Sequence, residues 1–481
     1  MEEEDLLMLK EKEERVIWEE AKRVGYVAAP MVAVTLSENM VQVISVMAVG
    51  HLGELSLSTT AFAISLSQLT ASTLLLGLAG GLETLNGQAY GAQQYEKLGT
   101  QTYTAIFSLN IVCIPLSILW IYMGNLLRLV GQDPRISHDA GKFLMWLLPS
   151  LFGYATLQPL IRYYQMQSLI LPMLVSSCIT ICFHIIACWL LVFKSGLDSL
   201  GAAVAMGLSM WLNVIILILY MKYSSTCKKT RAAISMKIFR GMREFFRCAA
   251  PSTVMICLEL WSFELLILLA GLLPNPRLET SVLSVCLNTM DTLNAIPYGL
   301  SAAASIRISN ELGAGQPHGA RISVIATMLL TATNAIIIST SLFASRKVFG
   351  HIFSNEKEVV DYFSNMAPFV CLSLIIDSIQ GSLSGVVRGC GRQHIGAYVN
   401  IAAFYLFGIP IAVALSFWLD FRGKGLWIGI LSGAALQAVM LSVITSCTNW
   451  TKEAAKARRR SLEEEPSLEG GLTWRHDEAA S

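Results

Sequence analysis

The sequence predicts an all-α polytopic membrane protein, with twelve transmembrane helices in two pseudo-symmetric six-helix lobes. Three observations carry that expectation. Of the 481 residues, 54% are apolar and 14% charged, with a mean hydropathy of +0.55, where a soluble chain carries about a quarter charged residues. The charges crowd into residues 1–25, 222–247 and 449–481, so the stretches between them are too apolar to form a hydrated surface. The second half of the chain also repeats, in register, a pattern laid down by the first.

A membrane helix needs about 20 apolar residues to cross the roughly 30 Å hydrocarbon core. Taken in order, runs that meet this requirement are 27–50, 59–82, 101–123, 143–162, 170–193, 200–221, 246–273, 281–305, 322–345, 362–385, 396–419 and 426–448. The fourth and tenth are the least apolar, each with polar residues in its second half. The implied organisation is a cytoplasmic N-terminal segment 1–26, an N-terminal lobe 27–221, a basic linker 222–245, a C-terminal lobe 246–448 and a cytoplasmic tail 449–481. No cleavable signal peptide is expected ahead of the first span, because residues 1–25 mix acids and bases.

Orientation follows from the basic residues. With both termini and the linker inside, 25 of the 35 lysines and arginines fall on the cytoplasmic side, as the positive-inside rule requires. The 222–247 loop holds Lys222, Lys228, Lys229, Arg231, Lys237, Arg240, Arg243 and Arg247 and reads as an orientation signal that touches lipid headgroups. The sequon Asn449-Trp450-Thr451 then lies in the cytosol, where it is not glycosylated.

The internal repeat is specific. At a shift of 221 residues Ala28-Ala29-Pro30 meets Ala249-Ala250-Pro251, Glu38 meets Glu259 and Gly50 meets Gly271. At 222, Gly77-Leu78 meets Gly299-Leu300, Gly91-Ala92 meets Gly313-Ala314, and Gln94 meets Gln316. Each half has an even number of spans, so the two copies keep the same topology, as in several secondary transporters.

Several classes are excluded. The net charge of +1 supplies no field to attract a nucleic acid. No phosphate-binding GxxxxGK[ST] and no HExxH occurs, and the Gly389–Gly391 glycine pair lacks the spacing of a nucleotide loop. The eleven cysteines show no CxxC or zinc spacing and read as free thiols filling helices, so neither a metal nor a cofactor is expected. His184 is intramembrane and alone, a packing residue rather than a ligand.

Acids inside a bilayer cost roughly 2.5–3.5 kcal/mol each on insertion scales, so each needs a reason. Span seven carries Glu259 and Glu264, span ten Asp377, span one Glu38 and span eight Asp291, while Glu83 at the end of span two is expected to cap a helix. Glu259 and Asp377 are the leading functional acids, since a buried carboxylate can bind and release a proton. Glu264 is five residues from Glu259, about 140° around a helix, and cannot face the same point. Glu38, Glu264 and Asp291 are further acids of interest. Asn288, Asn294 and Tyr298 on span eight, with Gln380 on span ten, are candidates for a substrate cavity. Pro30 and Pro251 are candidate helix bends, and the backbone beside Pro297 is expected to be irregular at Tyr298.

Four segments together resemble one family. They are AAPMVAVTLSENMVQVISVMAVGHLG (28–53), ETLNGQAYGAQQYEKLG (83–99), SIRISNELGAG (305–315) and GVVRGCGRQHIGAYVN (385–400). The chain is similar, from about residue 20 to about 450, to the plant branch of the MATE (multidrug and toxic compound extrusion) family. The resemblance implies two six-helix lobes working by alternating access, with antiport of organic solutes against protons. It maps the proton-linked acids onto Glu259 and Asp377 and the bending proline of span one onto Pro30. Arg392 stands where relatives usually carry tryptophan, and Asp291 is an additional acid. The short 83–100 link argues against the citrate exporters of this fold, whose corresponding loop is long.

The function expected is therefore proton-driven export of flavonoid, alkaloid or xenobiotic solutes from the cytosol by a monomer in the plasma or vacuolar membrane. An organic-acid exporter is the alternative within the fold. A lipid-modifying membrane enzyme would need a paired catalytic His/Asp or a metal cluster, and the sequence displays neither. A channel or receptor is disfavoured by the two-lobe repeat with unequal acids.

Overall fold

The computed structural model describes residues 2–233, 235–353 and 357–462. Among these residues there is no strand. Helix α1 runs Glu2–Gly50, α2 Glu54–Gly91, α3 Tyr95–Ile121, α4 Pro134–Met166, α5 Ile170–Phe193 and α6 Ser199–Tyr223. After the linker come α7 at Met242–Ala270, α8 at Pro276–Leu293, α9 at Ala295–Gly313 and α10 at Pro317–Phe353. Helices α11 at Lys357–Cys390, α12 at Gln393–Trp418, α13 at Arg422–Ser446 and α14 at Trp450–Leu462 complete the chain. Residues 463–481 of the expected tail lie outside the described residues.

Among the described residues, eleven helices are long and apolar enough to cross a membrane. The remaining crossing, eighth in chain order, is divided, and this corrects the expectation of a continuous span at 281–305. Helices α8 and α9 meet at a break at Asn294. The irregularity expected at Tyr298 therefore sits four residues earlier. The reason is Pro297: it lacks the N–H that would bond Leu293, so α8 ends at Leu293 and the proline falls in the first turn of α9, where it is tolerated.

Two other elements depart from the linear reading. Residues 2–26 are no separate segment but the first half of α1, which has no helix breaker before Pro30. At about 1.5 Å per residue, the 49-residue α1 greatly exceeds the bilayer core, so its N-terminal half projects beyond it. Helix α2 passes through a π-helical turn at Gln68–Ser72, where Thr70 Oγ1 donates to Leu66 O at 2.6 Å and accepts Trp120 Nε1 at 3.0 Å. Helix α12 has π-helical stretches at Ile401–Gly408 and Ala414–Trp418. Helices α1 and α7 remain helical through Pro30 and Pro251.

The outward faces of the bundle are apolar. Ile114, Ile118, Leu171, Ile186, Leu208 and Ile336 are all exposed, the inverse of a soluble surface and the pattern that lipid tails solvate. Helices α1–α6 form one lobe and α7–α13 the other. They meet where α2 crosses α7 and α9, and small residues permit that approach. A Cβ on Gly81 would stand 2.8 Å from Ala249 Cα, and one on Gly77 2.6 Å from Thr253 Cα. Without a hydrophobic drive between helices in lipid, this close backbone packing is a main source of association.

Side-chain hydrogen bonds between the lobes cluster in one half of the molecule. That half carries the 92–94, 167–169, 314–316 and 391–392 turns and the 224–241 linker, and is called here the linker face. The bonds include Glu20 to Arg307 and Ser323, Thr84 and Gln88 to Arg388 and Gly389 carbonyls, and Asn310 to Met166 O. Helix α14 adds to them: its Ala454 and Ala457 pack on Ile308, Leu312 and Ala320 of the second lobe. Arg460 reaches Gln88 of the first lobe at 2.9 Å, and Lys97 Nζ donates to the Arg460 carbonyl at 3.0 Å. Asn449 of the sequon is the cap of α14, accepting Lys452 N at 3.0 Å.

Candidate functional site

Four helices of the second lobe converge on Glu259. Gln380 Nε2 of α11 donates to its Oε1 at 2.8 Å, and Asn400 Nδ2 of α12 approaches Oε2 at 3.4 Å. Asn400 also donates to Met255 O at 2.8 Å and accepts from Gln437 Nε2 of α13 at 2.7 Å. All donors to Glu259 are neutral amides, and no ion pair involves Glu259 or Asp377 among the described residues. Asp377 lies three residues before Gln380, on the same face of α11, and is 9% exposed. Its electrostatic neighbours are the acids Glu259 and Asp291.

Asp291 in turn interacts with Glu264, and both are exposed. The second lobe thus gathers Glu259, Asp377, Asp291 and Glu264 into linked neighbourhoods. Glu264 does not share the amide network around Glu259, in keeping with the 140° between them. Asn288 is exposed, and the Asn294 Oδ1 at the helix break is buried without a partner.

The first lobe contains a partly open cavity of about 270 Å³. Glu38, Gln68, Tyr154, Gln158, Arg162 and Asn213 line it, together with Tyr298 from the second lobe. The π-helical turn of α2 forms part of its wall through Gln68 and Ser72, a placement π-turns often have. The four cavity candidates read from the sequence therefore do not form one cavity. Tyr298 faces the first lobe, where Arg162 Nη2 lies 3.4 Å from its hydroxyl, whereas Gln380 serves Glu259. Span assignment could not show that the turn after Asn294 carries Tyr298 across the seam.

Glu83 is a further correction. It caps no helix end but lies within α2, 2% exposed. Its Oε1 is 3.0 Å from Arg162 Nη1 and its Oε2 accepts Arg388 Nε at 2.9 Å. The run of apolar residues stops at Leu82, but the helix continues to Gly91 because the second lobe, rather than lipid, covers its next two turns. His184 is held by Ser45 at 3.0 Å and Ser209 at 2.9 Å, a satisfied packing residue. Arg392 Nη1 donates to Thr448 Oγ1 at 2.8 Å and ties the ends of α11 and α13. The sequence reading missed Arg162, Arg388, Asn400 and Gln437. Their signal was polarity within apolar runs, the same signal that singled out the acids.

Two helical lobes bonded on one face, each with polar groups buried at mid-span, have the two-lobe build of membrane transporters. The comparison with known proteins agrees. The MatE family model matches residues 30–190 and 251–414, one segment in each lobe, and the chain belongs to the MATE family. It is a multidrug and toxic compound efflux transporter embedded in the membrane, acting on small organic substrates, and not an enzyme. Protein DETOXIFICATION 14 of Arabidopsis thaliana is 58% identical over 446 residues, spanning 93% of this chain and 92% of that protein. Protein DETOXIFICATION 12 of the same plant is 54% identical over 464 residues, spanning 95% and 96%. The crystal structure of the eukaryotic MATE transporter AtDTX14 superposes with a TM-score of 0.90 at 57% identity, covering 93% of this chain and 100% of that one.

Proposed function

We propose that this transporter is a proton-coupled antiporter that exports flavonoid, alkaloid or xenobiotic solutes from the cytosol across the plasma or vacuolar membrane. The observation that carries the reading is the contrast between two buried carboxylates. Glu83 is clamped by two arginines at ion-pair distance, whereas Glu259 makes no ion pair among the described residues: Gln380 and Asn400 hold it, with Asp377 and the more distant Arg388 as electrostatic neighbours. An arginine-clamped acid stays ionised through a cycle. An acid held by amides beside another acid can gain and lose a proton, because one carboxylate raises the cost of ionising the other.

In this scheme Glu259 and Asp377 take up protons from the outer or vacuolar side and release them to the cytosol. Their protonation alters the Gln380 and Asn400 contacts between α7, α11 and α12, and Pro30 and Pro251 supply the helix bends. Substrate occupies the space between the lobes, with Tyr298, Glu38 and Arg162 on the first-lobe side and Asn288 and Asn294 on the other. Asp291 and Glu264 give that space a negative wall. The linker face is cytoplasmic, and one chain suffices, since each lobe contains its own polar site. A pH unit supplies about 1.4 kcal/mol per proton and 100 mV about 2.3 kcal/mol per charge, enough for a tenfold solute gradient or more.

The test is uptake of a panel of flavonoid, alkaloid and cationic dye substrates into proteoliposomes under an imposed pH gradient. Saturable uptake that a protonophore abolishes supports the reading. Uptake indifferent to the gradient, or an ohmic substrate current, defeats it.

A further inference from the structure

Glu83, Arg162 and Arg388 make a buried charge triad across the lobes. Glu83 and Arg162 belong to α2 and α4 of the first lobe, and Arg388 belongs to α11 of the second. Arg388 is anchored within its own lobe by Nη2 to Ser301 Oγ at 2.9 Å, and its carbonyl accepts Thr84 Oγ1 from the first lobe at 2.6 Å. Arg162 is held in its lobe by Gln165 Oε1, 2.7 Å from Nη1, and it meets the other lobe through the long 3.4 Å approach of Nη2 to the Tyr298 hydroxyl. The three charges lie in the linker-face half, where the inter-lobe side-chain bonds cluster.

The two ion pairs of Glu83 are not equivalent. The pair with Arg162 lies within one lobe and survives any rigid movement of lobes, whereas the pair with Arg388 breaks if the lobes part at the linker face. Breaking a buried ion pair normally orphans a charge, at heavy cost. Here Glu83 keeps Arg162 when Arg388 leaves, and Arg388 is released to a cleft that water enters. A carboxylate with two cations can lose one without being orphaned, which gives the seam two tolerated arrangements rather than one.

We infer that the Glu83–Arg388 pair is the gate of the linker face, and that Arg162 is its positioning residue, setting how readily the gate opens by holding Glu83 when the lobes separate. The inference rests on the alternating-access reading given under Proposed function. It has a consequence of opposite signs. Removing the Arg388 charge releases the gate. Removing the Arg162 charge leaves Glu83 with Arg388 alone, so the gate holds more tightly.

The experiment uses the full chain, freed of native cysteines and reconstituted in liposomes, with nitroxide labels at Gln94→Cys and Gln316→Cys. These repeat-related positions are exposed at the linker face, one on each lobe. Pulsed dipolar spectroscopy then reads the ratio of separated to closed populations at fixed pH, without substrate or gradient. Arg388→Gln should raise that ratio about tenfold or more, given what a broken buried pair costs. Arg388→Lys, which keeps the charge and is the fallback should the glutamine variant fail to fold, should raise it less than any neutral residue at 388. Arg162→Gln should lower the ratio. An unchanged distribution in the Arg388 variants overturns the inference, as does a shift of Arg388→Gln and Arg162→Gln in the same direction. Because no proton gradient is present, a chain whose uptake ignores pH but whose distances shift as stated retains the gate and loses only the coupling.

Discussion

Gln380 Nε2 donates to Glu259 Oε1 across 2.8 Å, joining α11 to α7 in the middle of the second lobe. The same amide oxygen of Gln380 accepts Ser384 Oγ at 3.3 Å, which fixes which end of the amide faces the carboxylate. A donor to a carboxylate favours its ionised form. Gln380→Met keeps the volume and removes the donor, so the pH profile of transport should move alkaline by about half a unit to one unit, the equivalent of one ordinary hydrogen bond. Initial uptake rates measured across pH 5 to 9 check this, and an acid shift or none at all counts against the role given to Gln380.

Glu38 occupies the repeat position of Glu259 but not its environment. It lines the first-lobe cavity with Arg162 as its electrostatic neighbour, so its charge is partly answered within that lobe. Glu38→Gln should change the apparent KM by several-fold and leave the dependence on the pH gradient intact. Uptake kinetics with and without a protonophore separate the two effects. Loss of gradient dependence would place a coupling acid in the first lobe as well.

The closeness of the lobes at the linker face rests on missing side chains. Gly81→Ala puts a methyl 2.8 Å from the Ala249 backbone, and overpacking of this kind costs about 1–3 kcal/mol. Gly25 has nothing within 4 Å of such a methyl, and Gly25→Ala should be neutral or stabilising by up to about 1 kcal/mol through helix propensity alone. Thermal unfolding of both variants in detergent tests the contrast. Equal melting temperatures would mean that the α2–α7 approach is looser than described.

The lipid-facing helices, the two-lobe repeat and the acids of spans seven and ten were legible because each is a local signal: a run of apolar residues, an aligned Pro and Glu, a charge where none belongs. What escaped was everything decided by contact between distant elements. Glu83 looked like the end of a helix, since hydropathy cannot distinguish burial against a second lobe from exposure to water. Tyr298 was grouped with the second-lobe site, although its side chain lines the first-lobe cavity, since the break at Asn294 depends on which carbonyl a proline leaves unbonded. Arg162 ends one apolar run and Arg388 follows another, and nothing in the linear order shows that both reach one carboxylate from 79 and 305 residues away.

Orientation can be checked directly. Ser235→Cys in the linker and Ser195→Cys in the turn between α5 and α6 are both exposed and lie at opposite faces. A membrane-impermeant maleimide added from the non-cytoplasmic side should label position 195 and spare position 235 until the membrane is opened. The reverse pattern would invert the topology and with it the direction of export.

In the proposed mechanism protons act through Glu259 and Asp377. Its most direct test is gradient-driven uptake in proteoliposomes bearing Glu259→Gln or Asp377→Asn, each an amide of the same shape. Uptake should fall to the level of empty vesicles in both, while both variants remain folded and monodisperse. Full pH-driven uptake by either variant would contradict it.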